Sequence, residues 1–198
     1  MNRQRVTLLV LLHLSAAFNA VDHSILLDRL YTVKVHSWFT SYLHDRCQSI
    51  SINGETSRRF EVQYGVPQGS CLGPLLFTLY ASKLFTIIER HLPEAHAYAD
   101  DIQLYVSFSA NSRDDQSADV EVMQRCIVDI REWTLSDRLK LNDGKTEFVL
   151  IGSRQQLAKV NIDALHVGDC VTPLSSAVKN LGSWFDEQLK MDKHINSI

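Results

Sequence analysis

No CxxC pair, no Cys/His run and no run of Lys and Arg occurs in the 198 residues. The four cysteines, Cys47, Cys71, Cys126 and Cys170, stand far apart, which leaves no zinc or redox motif and predicts free thiols. A formal net charge of −3 excludes a nucleic-acid binder that works by bulk electrostatics, because phosphate contacts need clustered cations. Any basic surface must be local, and no nuclear import signal stands out. Repeats, low-complexity stretches and Pro/Gly-rich linkers are also lacking, so residues 1–198 read as one domain with a loosely joined C-terminal tail. No apolar run is long enough to span a bilayer, and no membrane partner is expected. Basic Met1–Arg5 followed by apolar Val6–Leu14 has the outline of a secretory signal, but His13 interrupts it. No small-x-small cleavage site follows in Ala16–Ala17–Phe18–Asn19. A buried central strand explains the same residues.

What is present is 45% hydrophobic content, enough for a sizeable core. Asp22 could cap a helix in which Ile25, Leu26 and Leu30 recur at helical spacing. Arg46–Asn53 reads as a strand, turned by Asn53–Gly54 into Arg59–Gln63. Gly65–Ser70 breaks regular structure. Beyond it Leu72, Leu76, Leu79, Tyr80, Leu84 and Ile87 form one long apolar helix face, with Pro74 tolerated in the first turn. His96–Val106 reads as two short strands around Ala99–Asp100–Asp101. A polar loop, Ser109–Ser117, precedes a helix whose face holds Val120, Met123, Ile127 and Ile130. Glu147–Ile151, Ala164–Val171 and Val178–Phe185 read as strands. Strand hairpins interleaved with helices predict an α+β fold rather than a parallel βαβ array.

Tyr98–Ala99–Asp100–Asp101 is the sharpest chemical feature: adjacent carboxylates repel, and a divalent cation relieves the repulsion. A solvated turn would look the same in isolation. The context is Gly65–Val66–Pro67–Gln68–Gly69–Ser70–Cys71–Leu72–Gly73–Pro74–Leu75–Leu76–Phe77, which resembles motif B of the reverse transcriptases of non-LTR (LINE-like) retrotransposons. Asp100–Asp101 then resembles their motif C, Leu14–His23 motif A, Leu139–Glu147 motif D, and Val178–Gly182 the primer-gripping hairpin, motif E. The motifs follow the family's order along nearly the whole chain. The resemblance implies a polymerase palm, an antiparallel sheet packed on helices, with fingers and thumb largely absent because the chain starts just before motif A and stops soon after motif E. It also implies an RNA template, a DNA primer and deoxynucleoside triphosphates as partners, and two Mg²⁺ ions as cofactors.

By the same resemblance Asp100 and Asp101 are catalytic metal ligands, and Lys145 protonates the leaving pyrophosphate. Gln68 and Gly69 contact the nucleotide, and Phe18 crowds the ribose 2′ position. A core phenylalanine and an ordinary surface lysine remain open readings of Phe18 and Lys145. The departure lies in motif A, where the family has Asp at its first position and again six residues on. Here His13 and Asn19 stand there. One imidazole nitrogen replaces an anionic two-oxygen bridge between the metals, which predicts severe impairment. Recruitment of Mn²⁺ or Zn²⁺ by His13 is the adaptive alternative, and a non-catalytic remnant that binds nucleic acid or a protein is the functional one. Asp22 and Asp28 lie offset from the strand end and are not expected to substitute. The segment Leu30–Trp38 is shorter than the family's spacing before its Trp-Phe-x-Ser-Tyr-Leu stretch, here Trp38–Leu43. An intracellular site of action, nucleus or cytoplasm, follows from the resemblance alone.

Overall fold

The computed structural model describes residues 5–31, 34–67, 69–92, 94–167 and 170–197. Strand β1 (Arg5–His13) is followed by a short 3₁₀ turn, Ala17–Asn19, and helices α1 (His23–Leu30) and α2 (His36–Leu43). Four two-residue strands come next: β2 (Cys47–Gln48), β3 (Ser51–Ile52), β4 (Glu55–Thr56) and β5 (Phe60–Glu61). Helices α3 (Gly73–Tyr80) and α4 (Ser82–Ile88) lead to β6 (Ala95–Tyr98), β7 (Asp101–Ser109) and the long α5 (Arg113–Ser136). The chain continues through β8 (Glu147–Ile151), α6 (Arg154–Leu157), β9 (Ala164–Val167), β10 (Cys170–Pro173), β11 (Ala177–Asn180), β12 (Ser183–Asp186) and α7 (Asp192–Ile195).

The central sheet runs β6-β7-β1-β8 and is antiparallel throughout. Period-two alternation puts Val6, Leu8, Val10 and Leu12 of β1 on one face, each fully buried, opposite Phe108, Val106, Leu104 and Ile102 of β7. Helix α5 packs over β7 with Met123, Cys126, Ile127 and Ile130 inward. Burying each large aliphatic side chain contributes about 2 kcal/mol, so this face holds the sheet and helices together. The other face of β1 is covered more thinly: Leu11, Val149, Ile151 and Val178 form a small second cluster beneath β11.

The expected α+β class and antiparallel sheet on helices are what the structure has. Four local expectations need correction. Residues 46–53 do not form one strand: β2 pairs with β5 and β3 with β4, and the two short ladders leave residues 49–50 opposite 57–59. All of these strand residues are exposed, so no buried face fixes a continuous register, and the extra residue makes a bulge. Asn53 and Gly54 do make the turn, with φ 52° and 85°. The long helical face after Pro74 breaks at Ala81 into α3 and α4 without glycine or proline. The break falls beside buried Tyr80, whose hydroxyl donates to the Asp137 carbonyl. The loop expected at 109–117 is shorter, because Ser112 caps α5 by accepting from the Asp115 amide at 3.2 Å. The strands expected at 164–171 and 178–185 are instead two antiparallel pairs, β9 with β10 and β11 with β12, with residues 168–169 outside the described residues. In the second, Leu181 and Gly182 take φ 46° and 88° in a two-residue turn that favours Gly.

Cys47 and Cys71 are exposed free thiols, whereas burial pushes the Cys126 thiol up to about 12, with Asp129 adding to the rise. Among the described residues no helix is long and apolar enough to cross a membrane.

Candidate active site

The antiparallel register sets the last residue of β1, His13, opposite the first residue of β7, Asp101. Their side chains meet, with His13 Nδ1 lying 2.5 Å from Asp101 Oδ1. They are 25% and 28% exposed, at the rim of the sheet rather than in its core. The turn that delivers Asp101 closes a tight β6–β7 hairpin, with Tyr98 paired to Asp101 and Ala99 at φ 55°. A non-glycine residue in that region is strained, a cost the two flanking strands must hold in place. Asp100 occupies the turn itself, half-buried, and its carbonyl accepts from the Leu14 amide at 3.0 Å.

The strand end is joined to the segment 139–147 in the same way. The Asn142 amide donates to the His13 carbonyl at 2.8 Å, and the Ser15 amide donates to the Lys140 carbonyl at 2.8 Å. A 3₁₀ turn, Asp143–Lys145, packs against β1, and Arg131 grips the Asp143 carboxylate with two hydrogen bonds of 3.0 and 2.6 Å. Lys145 is exposed on that turn, and among the described residues no ion pair links it to Asp100 or Asp101. On the outer face of the sheet, two residues on from Asp101, the Gln103 amide donates to Asn180 Oδ1 of β11 at 3.2 Å. The β11–β12 hairpin therefore stands beside the carboxylate pair.

Residues after β1 turn through Ala16 at φ 48° and dock on the loop that precedes α3. The Val66 amide donates to the Phe18 carbonyl at 2.9 Å, and the Gly65 amide donates to the Val21 carbonyl at 2.7 Å. Gly65 has φ 83°, and a Cβ there would lie 3.1 Å from the Asn19 carbonyl oxygen, so glycine is required twice over. The Phe18 ring is half-buried against Phe77, with centroids 4.9 Å apart and planes at 33°. Gly69 has φ 80° with open space around it, whereas Gln68 lies outside the described residues. A cleft of about 570 Å³ opens beside this loop, bounded by Asn19, Arg46, Gln48, Glu61 and Pro67.

The structure thus brings His13, Asp100, Asp101 and the turn bearing Lys145 to one end of the sheet, with Phe18 and Gly69 on the loop junction that follows. Arg138, which the sequence did not single out, closes a second group. Asp22 is 3% exposed, and its carboxylate accepts from the Ser24 and Ile25 amides at 2.8 and 3.1 Å and from Arg138 at 2.5 Å. Burial raises its pKa, but the Ser24 hydroxyl, the two amides and Arg138 outweigh that and hold the carboxyl below its usual range. Asp22 is committed to capping α1 and not to the sheet end. No sequence signal pointed to Arg138, because its role depends on α5 ending in the left-handed conformation there, at φ 56°.

The family model for "Reverse transcriptase (RNA-dependent DNA polymerase)" matches residues 1–185. The chain belongs to the reverse transcriptase family. Its reverse transcriptase sequence is 26% identical over 194 residues to the RNA-directed DNA polymerase from mobile element jockey of Drosophila melanogaster, covering 94% of this chain and 20% of that protein. It is 26% identical to the probable RNA-directed DNA polymerase from transposon BS of the same species, covering 95% and 21%. A further match, 25% identical, is the probable RNA-directed DNA polymerase from transposon X-element of Drosophila melanogaster, covering 80% and 17%. This reverse transcriptase chain therefore spans about a fifth of the curated relatives' length, and its likeness to LINE-like reverse transcriptases, drawn above from the motifs, holds. Among solved structures, apo telomerase from Candida tropicalis, truncated from the C-terminal domain, aligns with TM-score 0.47 and 12% identity, covering 94% of this chain and 35% of that one.

Proposed function

We propose that residues 1–198 form the palm of a retrotransposon RNA-directed DNA polymerase whose nucleotidyl transfer is severely impaired. The contact between His13 Nδ1 and Asp101 Oδ1 at 2.5 Å carries the impairment. In this reading the partners are an RNA template, a DNA primer and deoxynucleoside triphosphates. Asp100 and Asp101 are the surviving carboxylates, Lys145 the proton donor to pyrophosphate, Gln68 and Gly69 the nucleotide-contacting turn, and Phe18 the ring beside the ribose. The support is their arrangement: the carboxylates and the Lys145 turn meet at one strand end, and Phe18 is hydrogen-bonded through its backbone to the loop that bears Gly69.

The magnesium pair that such chemistry uses does not fit this donor set. Mg²⁺ demands oxygen ligands in near-octahedral array, and a two-ion site needs a carboxylate that reaches both ions. His13 supplies a nitrogen at that position, and it already engages one oxygen of Asp101. Among the described residues no three His, Cys, Asp or Glu side chains converge as a metal-holding group. The imidazole instead satisfies Asp101 from within the chain. This observation equally favours a second reading, a non-catalytic remnant that binds nucleic acid or a protein partner through the same surface.

Primer extension on an RNA template separates the readings. The chain itself, a His13→Asp/Asn19→Asp revertant and an Asp100→Ala/Asp101→Ala control are compared with Mg²⁺ and then Mn²⁺. The revertant is expected to extend primer and the other two to be silent. Extension by the unaltered chain would show that His13 is a tolerated ligand. Silence of a folded revertant would refute the claim that motif A is the lesion.

A further inference from the structure

Helix α2 and the turn after it carry a stack of flat groups that the carboxylate site does not use. Trp38 and Tyr42, four residues apart on one helix face, lie nearly parallel, with centroids 5.5 Å apart and planes at 7°. The guanidinium of Arg46 covers Tyr42 at 4.2 Å from its centroid, and its Nε donates to the Tyr42 carbonyl at 2.7 Å. Three planes thus repeat at i, i+4 and i+8. The stack is fixed at two further points. The Tyr42 hydroxyl shares a hydrogen bond with Ser70 Oγ at 3.1 Å. The Trp38 indole meets Phe39 edge-on at 5.0 Å, and Phe39 is buried in the core. The far end is open: Trp38 is 53% exposed.

The surroundings decide what kind of partner suits an exposed indole held in this way. Ser37 and Ser41 on the helix and Lys34 and His44 just outside it are exposed and polar, while Tyr31 and Val35 are exposed apolar neighbours in sequence, so the surface is mixed rather than the wholly apolar patch that a protein partner would cover. Its charge runs against that of the chain as a whole. From residue 34 to residue 59, Lys34, Arg46, Arg58 and Arg59 face only Asp45 and Glu55, although the chain carries a net charge of −3. A second cation lies over an exposed ring in the same stretch, Arg58 at 4.7 Å from Phe60. A preset π-face in a stretch with a local excess of cations matches the requirements of an unpaired nucleobase on a phosphate backbone.

We propose that Trp38, Tyr42 and Arg46 form a stacking platform for an unpaired base of single-stranded RNA. That the strand is RNA, and the template, rests on the polymerase reading above; the platform for an unpaired base does not. Ser70 ties the platform to the loop that docks on Phe18, so a base stacked on Trp38 would belong to a strand approaching that loop. A base on the indole extends the stack by one plane and leaves the phosphates to the neighbouring cations.

The test is fluorescence anisotropy of a labelled uridine-rich RNA, single-stranded and annealed to its complement, titrated with the full chain. Trp38→Ala should weaken single-strand binding about tenfold, and Trp38→Phe should restore most of it. Duplex affinity and the salt dependence should stay unchanged, because stacking neutralises no phosphate. Circular dichroism should show the same melting temperature for Trp38→Ala as for the parent chain. The proposal is overturned if single-strand affinity survives Trp38→Ala, as it would were the face a protein-docking surface, if duplex binding falls equally, or if the chain binds no single strand. Trp38-dependent binding with a silent His13→Asp/Asn19→Asp revertant would defeat the motif A account alone; an extending revertant whose RNA binding ignores Trp38 would defeat this proposal alone.

Discussion

The two faces of the β1–β7 ladder differ in every rung. On the inner face Val6, Leu8, Val10 and Leu12 meet Phe108, Val106, Leu104 and Ile102, and all eight are buried. On the outer face the rungs are mixed: Thr7 and Ser107 share a hydroxyl hydrogen bond at 2.8 Å, Leu9 sits opposite Tyr105 and Leu11 opposite Gln103, and His13 opposite Asp101 closes the ladder. A single strand therefore carries the core on one side and, on the proposed reading, the site on the other. Side-chain parity keeps the two apart, so a substitution at position 13 can abolish a ligand set without touching the core.

The largest expected effect belongs to the outer face. His13→Asp with Asn19→Asp should raise primer extension on the order of a thousandfold, since bridging a transition-state charge is worth several kcal/mol. It should also make the melting temperature rise with Mg²⁺, a dependence the parent chain should lack, because two unpaired carboxylates repel until a cation joins them. In saturating Mg²⁺ the revertant should melt within about 4 °C of the parent. A much larger loss would break the comparison by showing that His13 belongs to the scaffold.

The inner face should answer in stability. Leu12→Ala, one rung away and fully buried, should cost about 3 kcal/mol in denaturant unfolding. A cost under about 1 kcal/mol would mean that the face relaxes freely and is not the rigid half of the pair. Asp22→Ala removes a cap and should cost about 1 kcal/mol at neutral pH. Because the folded carboxyl of Asp22 titrates below its unfolded value, its stabilisation is complete above the ordinary carboxylate range and fades as pH falls through and below it. The gap between parent and Asp22→Ala should therefore narrow in acid, and a gap independent of pH would deny the charged cap. Smallest is Gly182→Ala, at φ 88° with open space around it, expected to cost about 1 kcal/mol or less through backbone strain alone. A larger loss would show that the β11–β12 turn supports the outer face more firmly than its thin cover suggests.

What could be read from the residues follows the same division. Val6–Leu14 and Glu147–Ile151 announced themselves because burial enforces a pattern, and the structure places strands at Arg5–His13 and Glu147–Ile151. Asp22 was legible as a cap because that chemistry is local. In the exposed segment 46–63 the Asn53–Gly54 turn is legible, but the strand pairing there and in the C-terminal hairpins is not, since turns and a bulge set it and no buried stripe records it. The replacement of the expected aspartate by His13 was visible in the sequence. Its contact with Asp101 was not, because that depends on a register between strands separated by almost half the chain. The spacing of Trp38, Tyr42 and Arg46 was available to inspection, but only the structure shows the Trp38 and Tyr42 rings to be parallel and the Trp38 end open.

The residues around position 13 are stitched to both neighbouring segments by main-chain groups: Leu14 to Asp100, Asn142 to His13, Ser15 to Lys140. Amides and carbonyls are the same whatever side chain they carry. The address of the thirteenth residue is thus written independently of its identity, and mutation can rewrite the tenant without moving the house. For this chain a change at position 13 and its reversal are each a single substitution that leaves these three main-chain hydrogen bonds in place.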